Sequence, residues 1–265
     1  MMKSILFLCI LFCLSCANQP YRQSNKLYKQ QVKQLSKQIN VYPLSDSLSN
    51  SAFIGTTNFN LRKPNYVIIH HTAQNSCEQT LKTFTMQSTQ VSAHYVICKD
   101  GTIHPMLNDY LRAWHAGAAK WGNDADINSA SIGIELDNNG YEYFTPEQIH
   151  SLLRLLEALK KQYNIPQQNF IGHGDIAPTR KNDPNVRFPW QLMADKGFGY
   201  WYDDTTNITV PSNFNHLQAL RIIGYSMKDT ASAMLSFKRH WLQDTLPGMD
   251  SAKYKVLLQV MKKYE

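Results

Sequence analysis

The spacing of apolar residues predicts strands that alternate with helices through the middle of the chain. Short apolar runs favour buried strands at residues 65–70, 131–136 and 169–173. Between the second and third runs, apolar residues recur at helical spacing, namely Ile149, Leu152, Leu153, Leu156 and Leu159. The preceding Thr145-Pro146-Glu147-Gln148 combines a capping box with a proline at the first helical position. We therefore expect an α/β fold, with a mixed central β-sheet flanked by helices.

Two shorter signals add elements to this sheet. Residues 94–97 and 102–104 flank Lys99-Asp100-Gly101, and an Asp-Gly pair tolerates the positive φ of a hairpin turn. Ser76, with Gln79 three positions later, fits a second capping box and predicts the start of another helix.

The pattern changes to helices alone near the C-terminus. Three short amphipathic helices are predicted there. The first spans residues 216–223, and the other two are marked by apolar residues at Met234, Phe237, Trp241, Leu257, Leu258 and Met261. Gly224 follows the first of them and is a favourable residue just past a helix end. We expect residues 46–208 to form the α/β body and residues 209–265 a small all-α domain of three helices.

The N-terminal sequence predicts export. Residues 1–15 combine a basic start with an apolar run too short to span a bilayer, as in a signal peptide. The run leads into Cys16 in a pattern that resembles a bacterial lipoprotein signal, although Cys13 stands where leucine is usual. An ordinary cleaved signal peptide is the alternative. We expect a lipid on Cys16 and a polar, lipid-anchored tether over residues 16–45. Ala17 after that cysteine favours the outer membrane, on the periplasmic side, of a Gram-negative bacterium.

The net charge indicates the kind of binding partner, and two cysteines raise the question of a disulfide. The formal net charge of +7 favours an anionic partner, whereas no basic–aromatic RNA motif or helix-turn-helix signal supports nucleic acid. Cys77 and Cys98 would be able to form a disulfide in an exported protein, but their spacing does not decide whether they do. We expect a monomer.

Four polar residues scattered along the predicted body suit one chemistry: His70, Glu135, His173 and Asp183. Two imidazoles and a carboxylate are a typical ligand set for a catalytic zinc that keeps a position open for water. A further carboxylate nearby is suited to take the proton of that water. The set predicts metal-assisted hydrolysis with one zinc ion per chain.

Spacing alone leaves alternatives for two of the ligands. His70 and His71 point to opposite faces of a strand, and spacing does not choose between them. Asp183 precedes Pro184, where aspartate commonly serves as a turn residue, and Asp175 is a rival carboxylate.

Other residues suit supporting roles. Glu135 lies in an apolar run, where a carboxylate is costly unless it is paired or functional. Lys181 is either an oxyanion stabiliser or a solvated surface side chain. His94 and His115 suit a ligand role, a substrate groove or core hydrogen bonds, and Trp114 suits stacking on a sugar or peptide. Of these roles we favour substrate binding for His94, Trp114 and His115.

These residues lie in motifs that resemble the zinc-dependent N-acetylmuramoyl-L-alanine amidases related to peptidoglycan recognition proteins. The motifs occur in family order over about residues 60–200, at residues 67–73, 92–95, 113–117, 132–136, 173–184 and 188–190. The resemblance implies that zinc is bound by His70, His173 and Asp183. It also implies Glu135 as the catalytic carboxylate and Lys181 as a stabiliser of the transition state.

The resemblance also carries expectations about fold and activity. It implies a peptidoglycan-recognition-protein-like amidase fold over residues 46–208 and a peptidoglycan-binding-like role for residues 209–265. The implied reaction is zinc-dependent hydrolysis of the amide between N-acetylmuramic acid and L-alanine in peptidoglycan or muropeptides. The membrane would be a second partner, through the lipid on Cys16. In animal recognition proteins the cysteine that resembles Cys77 has a local partner that is absent here, which argues against a bond to Cys98.

Two alternatives remain at this point. One is a non-catalytic peptidoglycan-binding protein of the same fold. The other is a zinc peptidase that cuts within the stem peptide, but the sequence contains no helical His-Glu-x-x-His motif to support it.

Overall fold

The computed structural model describes residues 20–39, 56, 58, 61 and 63–265. The predicted signal peptide and the predicted lipid attachment at Cys16 lie outside these residues. Helix α1 (Arg22–Ile39) is a polar helix within the predicted tether; it belongs to a unit that ends at Thr57, and residues 58–265 form a second compact unit. Within the described ranges, no helix combines the length and apolar character needed to cross a membrane.

Five strands form one mixed sheet. They are β1 (Tyr66–His71), β2 (Tyr95–Ile97), β3 (Ile103–Pro105), β4 (Ser131–Leu136) and β5 (Phe170–Gly172). Their order is β3-β2-β4-β1-β5, in which β2 and β3 are antiparallel and the other neighbours are parallel. The register of β1 on β4 sets His70 beside Glu135. The predicted α/β fold is confirmed, and two candidate residues lie on neighbouring strands.

The helices of residues 58–265 fall into two groups. Those around the sheet are α2 (Cys77–Thr85), α3 (Ile127–Ala130), α4 (Pro146–Tyr163), α5 (His173–Ile176) and α6 (Trp190–Asp195). Those near the C-terminus are α7 (His216–Ile223), α8 (Thr230–Trp241) and α9 (Ser251–Tyr264), which are the three helices predicted there.

Helix starts follow the predicted capping residues. At α4 the Thr145 side chain accepts from the N–H of Gln148, and the Gln148 side chain accepts from the N–H of Thr145, so the capping box is complete. At α2 only half of the box forms. Ser76 accepts from the N–H of Gln79, but the Gln79 side chain accepts from the N–H of Asn75, one residue earlier than expected.

The two faces of the sheet carry separate apolar clusters. Val67 and Ile69 belong to a cluster that includes α4, whereas Ile68 belongs to a cluster that includes α7, α8 and α9. Successive side chains alternate across a strand, so His70 shares the face of Ile68. The C-terminal helices therefore pack on the face that carries His70, within the same compact unit as the sheet.

A disulfide joins Cys77, at the start of α2, to Cys98, directly after β2, with Cα atoms 5.3 Å apart. Spacing left this bond open and the family resemblance put it in doubt, and the structure contains it. The two cysteines are 21 positions apart in sequence. They come within reach because α2 packs beside β2.

Loss of this disulfide should lower the free energy of unfolding by about 3 kcal/mol, because the bond restricts the unfolded chain. We would compare the wild type with the Cys77→Ala/Cys98→Ala variant by urea denaturation, with and without a reducing agent. The reductant should destabilise the wild type and leave the double variant unchanged. Equal stability of the two proteins under oxidising conditions would contradict the prediction.

Candidate active site

Three ligand-type atoms converge at one edge of the sheet. His70 Nδ1 lies 2.9 Å from His173 Nδ1 and 3.0 Å from Asp183 Oδ2. His173 Nδ1 lies 3.0 Å from the same Asp183 oxygen. Each of the three residues is at most 7% exposed. Such a group of donor atoms is able to hold a metal ion.

The topology explains why these residues meet. Strands β1 and β5 are parallel neighbours, so His70, near the end of β1, and His173, directly after β5, lie at the same edge of the sheet. The chain after His173 returns to this edge because the N–H of Gly174 donates to the carbonyl of Asp183 at 2.7 Å. His71 points to the opposite face, so His70 is the imidazole that joins the cluster.

The rival carboxylate, Asp175, bonds to a different set of partners. Its Oδ2 accepts from the N–H of Gly172 at 3.0 Å and from His240 Nδ1 at 2.7 Å. Its Oδ1 accepts from the Tyr225 hydroxyl at 2.7 Å. Asp183, and not Asp175, therefore lies with the two imidazoles.

A backbone carbonyl orients the imidazole of His173. Its Nε2 lies 3.0 Å from the carbonyl oxygen of Ala116, which only accepts, so Nε2 is the donor and, in the neutral imidazole, Nδ1 presents a lone pair. Arg180 holds this turn by donating to the carbonyls of Ala116 at 3.0 Å and Ala118 at 2.7 Å. Sequence reasoning missed Arg180, because a basic residue beside Lys181 is ordinarily a surface cation.

A chain of side chains orients the imidazole of His70. Ser131 Oγ donates to the carbonyl of Ile127, so it accepts from His115 Nε2, which lies 3.1 Å away. His115 Nδ1 is then an acceptor, and His70 Nε2, 3.0 Å away, is the donor. A Cβ on Gly133 would overlap the His115 ring. A glycine inside a core strand signals such a close approach, and this signal was available in the sequence.

The donor set fits a metal ion. When both imidazoles are neutral and carry their proton on Nε2, the Nδ1 atoms of His70 and His173 present lone pairs to each other and to a carboxylate oxygen. This arrangement is repulsive unless a cation neutralises it. Burial, followed by the neighbouring His173, lowers the pKa of His70 to about 4, so the His70 imidazole is neutral near pH 7. Neutral imidazoles with a carboxylate suit zinc.

Glu135 supplies a second carboxylate beside this cluster. Its Oε1 lies 3.9 Å from His70 Nδ1, and its side chain is 12% exposed. In the part of the chain that the structure describes, its Oε2 is buried without a hydrogen-bond partner. Burial, followed by the charge of Asp183, raises the pKa of Glu135 to about 8. A carboxylate with raised proton affinity, placed beside a ligand cluster, is suited to general-base catalysis.

Lys181 lies within electrostatic reach of Glu135. After burial and the charge of Asp183, the charge of Lys181 is the next influence on the pKa of Glu135, and it lowers that pKa. The Lys181 side chain is exposed, and its backbone N–H donates to the carbonyl of Ala177 at 3.0 Å. Its predicted role as an oxyanion stabiliser stays a prediction.

The three residues predicted to bind substrate have different surroundings. His94 is fully buried, its Nδ1 accepts from the N–H of Gly133, and its Nε2 lies 3.0 Å from the carbonyl of Leu111. Both ring nitrogens thus bond to backbone, so we reassign His94 from substrate binding to the core. His115 is 8% exposed and supports His70 rather than facing a ligand. Trp114 is 52% exposed and keeps a face for stacking.

A buried edge with two imidazoles, a carboxylate and a neighbouring glutamate is a group of residues suited to metal-assisted hydrolysis. The family described as N-acetylmuramoyl-L-alanine amidase matches residues 60–186. N-acetylmuramoyl-L-alanine amidase AmiD of Escherichia coli (strain K12) is 30% identical over 233 residues, which cover 75% of this chain and 82% of that protein. This chain belongs to the N-acetylmuramoyl-L-alanine amidase family.

Solved structures show the same fold. The complex of AmiD from E. coli with the substrate anhydro-N-acetylmuramic acid-L-Ala-D-γ-Glu-L-Lys has a TM-score of 0.69 at 27% identity, covering 79% of this chain and 93% of that one. AmpDh3 from Pseudomonas aeruginosa, in complex with anhydromuramic pentapeptide, has a TM-score of 0.70 at 26% identity, covering 84% and 99%.

Replacing the buried carboxyl should stabilise the metal-free protein in a pH-dependent way. The pKa of Glu135 is about 8 in the folded protein, against 4.5 ordinarily, so its stabilising contribution is complete below pH 4.5 and is lost as pH rises toward 8. Glutamine does not ionise. Glu135→Gln should therefore match the wild type near pH 4.5 and exceed its free energy of unfolding by about 2–4 kcal/mol at about pH 8.

Urea denaturation of chelator-treated protein across this pH range measures the difference. Glu157→Gln is the control, because Glu157 is an exposed glutamate on α4. A stability difference for Glu135→Gln that did not vary with pH would show that burial does not perturb this carboxyl.

Proposed function

We propose that this chain is a zinc enzyme that hydrolyses the amide between N-acetylmuramic acid and L-alanine in peptidoglycan or muropeptides. The observation that carries the proposal is the convergence of His70 Nδ1, His173 Nδ1 and Asp183 Oδ2 within 3.0 Å of one another. Glu135 stands beside them in the position of a base. Membership of the amidase family supports the same reaction.

The side chains divide the work of the reaction. Zinc, when held by His70, His173 and Asp183, supplies Lewis-acid activation of water and of the scissile carbonyl. Glu135 takes the proton of the attacking water and passes it to the leaving amine of L-alanine. The Lys181 ammonium stabilises the negative charge that develops on the carbonyl oxygen.

The substrate class is inferred from relatives and from surface chemistry. Two solved relatives are complexes with anhydromuramoyl peptides. We extend that class to this chain. The half-exposed indole of Trp114, next to His115 in sequence, suits stacking on a sugar or peptide. The net charge of +7 favours an anionic wall or membrane surface.

A non-catalytic peptidoglycan-binding protein of the same fold remains the second candidate. It would not need a complete ligand set, nor a glutamate whose pKa is raised beside that set. Both features are present here, which favours the enzyme. The zinc content of the purified protein distinguishes the two candidates before any activity is measured.

The reaction is tested with residues 17–265 and purified muropeptides, with and without a zinc chelator. Mass spectrometry should detect free sugar and an intact stem peptide that begins at L-alanine, and chelation should abolish both. Glu135→Gln should bind zinc as the wild type does but lose activity by at least about 100-fold, because it cannot accept a proton. Glu157→Gln should keep full activity.

Two outcomes of the mass spectrometry would contradict the proposed reaction, and one kinetic result would contradict the role of Glu135. Cleavage within the stem peptide would identify a peptidase, and no cleavage by zinc-loaded protein would support the binding protein. Full activity of Glu135→Gln would remove Glu135 from the mechanism.

We also propose that the protein acts as a monomer in the periplasm, held at the outer membrane by a lipid on Cys16. The support is the sequence pattern of residues 1–17 and the polar helix α1 within the predicted tether. A lipid and a tether together would keep the catalytic body close to the wall that it cuts.

Lipid attachment is tested by labelling with a radioactive fatty acid in a Gram-negative host. The wild type should be labelled and should sediment with the membranes, whereas Cys16→Ser should be neither labelled nor membrane-bound. Cys9→Ser is the control, because Cys9 lies within the apolar run of the signal and should leave labelling intact. Labelling of the Cys16→Ser variant would refute attachment at this residue.

A further inference from the structure

The C-terminal helices are bonded to the segment that carries two of the zinc ligands. The link is Asp175, which lies two residues after His173 and is 2% exposed. Its Oδ1 accepts from the hydroxyl of Tyr225 at 2.7 Å, and its Oδ2 accepts from His240 Nδ1 at 2.7 Å. Tyr225 follows α7 and His240 lies on α8, so one carboxylate joins two parts of the helical region to α5.

A second contact from α8 reaches the other ligand through the backbone. Ser236 Oγ donates to the carbonyl of Gly174 at 2.8 Å. The N–H of Gly174 in turn donates to the carbonyl of Asp183 at 2.7 Å. Gly174 therefore lies between α8 and Asp183, and it directly follows His173. A displacement of α8 would be transmitted to both ligands.

Asp175 and His240 also contact Gly172 and Trp190. Asp175 Oδ2 also accepts from the N–H of Gly172, the last residue of β5, at 3.0 Å. A Cβ on Gly172 would lie 3.1 Å from that oxygen and 3.1 Å from the ring of Trp190. The His240 ring stacks on Trp190 with centroids 3.9 Å apart and planes 12° apart. A buried polar network in which the members are satisfied restricts the conformation of its surroundings.

We propose that Asp175, Tyr225, Ser236 and His240 form a positioning network through which the C-terminal helices hold His173 and Asp183 in zinc-binding geometry. These helices thus contribute to the metal site itself, in addition to any contact with peptidoglycan. The proposal rests on the zinc assignment of the proposed function. Outer-shell groups of metal sites typically change metal affinity or activity by about 10- to 100-fold.

The main test compares three variants of the full chain. Tyr225→Phe and Ser236→Ala each remove one hydroxyl of the network. Tyr200→Phe is the matched control, because it removes a tyrosine hydroxyl that donates to Gln168 Oε1 at 3.2 Å, outside the ligand segment. Zinc affinity is measured by competition with a chromophoric chelator, together with kcat, KM and the midpoint of thermal unfolding of the metal-free protein.

We expect the network variants to bind zinc about 10-fold more weakly and to lose kcat with little change in KM, because the ligands and not the substrate contacts are disturbed. Tyr200→Phe should keep the zinc affinity of the wild type, even where its unfolding midpoint falls. A network that only stabilised the fold would lower the midpoint in Tyr225→Phe and Ser236→Ala and leave their zinc affinity unchanged, and this result would overturn the proposal.

His240 provides a rescue test of the hydrogen bond. His240→Asn keeps an N–H donor near the position of Nδ1, whereas His240→Ala removes the donor. Asparagine should restore most of the zinc affinity that alanine loses. Equal loss in both variants would assign the effect to packing against Trp190 and would contradict a hydrogen-bonded network.

Hydrogen exchange of the metal-free protein separates this proposal from the zinc assignment. Backbone amides in residues 173–183 should exchange faster in Tyr225→Phe than in Tyr200→Phe. If the wild type bound no zinc, the proposed function would fail, and the exchange rates would still decide whether the helices hold this segment. Unchanged exchange in Tyr225→Phe and Ser236→Ala would refute the positioning network.

Discussion

The active site depends on holding three electron-rich atoms against one another while their protons point elsewhere. His70 Nδ1, His173 Nδ1 and Asp183 Oδ2 lie 2.9–3.0 Å apart. The Ala116 carbonyl accepts a hydrogen bond from the Nε2–H of His173, and His115 Nδ1 accepts one from the Nε2–H of His70. Burial removes the water that would otherwise separate these groups. Because the set is unfavourable without a cation, a bound metal ion would also stabilise the folded protein.

The side chains of β4 alternate between the apolar core and the face that carries the ligand cluster. Ile132, Ile134 and Leu136 belong to the apolar cluster that includes α4. The residues that alternate with them, Ser131, Gly133 and Glu135, face the side of the ligand cluster. Ser131 ends the hydrogen-bond chain to His70, Gly133 leaves room for the His115 ring, and Glu135 stands beside the ligands. One six-residue strand therefore packs the core with one face and builds the catalytic surroundings with the other.

The C-terminal helices pack on the same face of the sheet that carries the ligand cluster. They share an apolar cluster with Ile68, two positions before His70 on β1. Their polar side chains continue to Asp175 and Gly174 in the ligand segment. The sheet and these helices lie within one compact unit, residues 58–265.

Local sequence determined most of the secondary structure, since caps and apolar periodicity act between residues a few positions apart. The Thr145 box, the Lys99-Asp100-Gly101 turn and the three C-terminal helices were predictable for this reason. The four residues His70, Glu135, His173 and Asp183 were also identifiable, as residue types suited to one chemistry within family motifs.

Tertiary structure alone decided which of these side chains meet and which are exposed. It paired Cys77 with Cys98 across 21 positions, and it buried His94 while leaving Trp114 at the surface. It also gave two carboxylates eight residues apart, Asp175 and Asp183, different partners. These outcomes depend on contacts between segments distant in the chain, and neither spacing nor residue type encodes them. A histidine ligand, a histidine that orients a ligand and a core histidine are the same residue until packing supplies their partners.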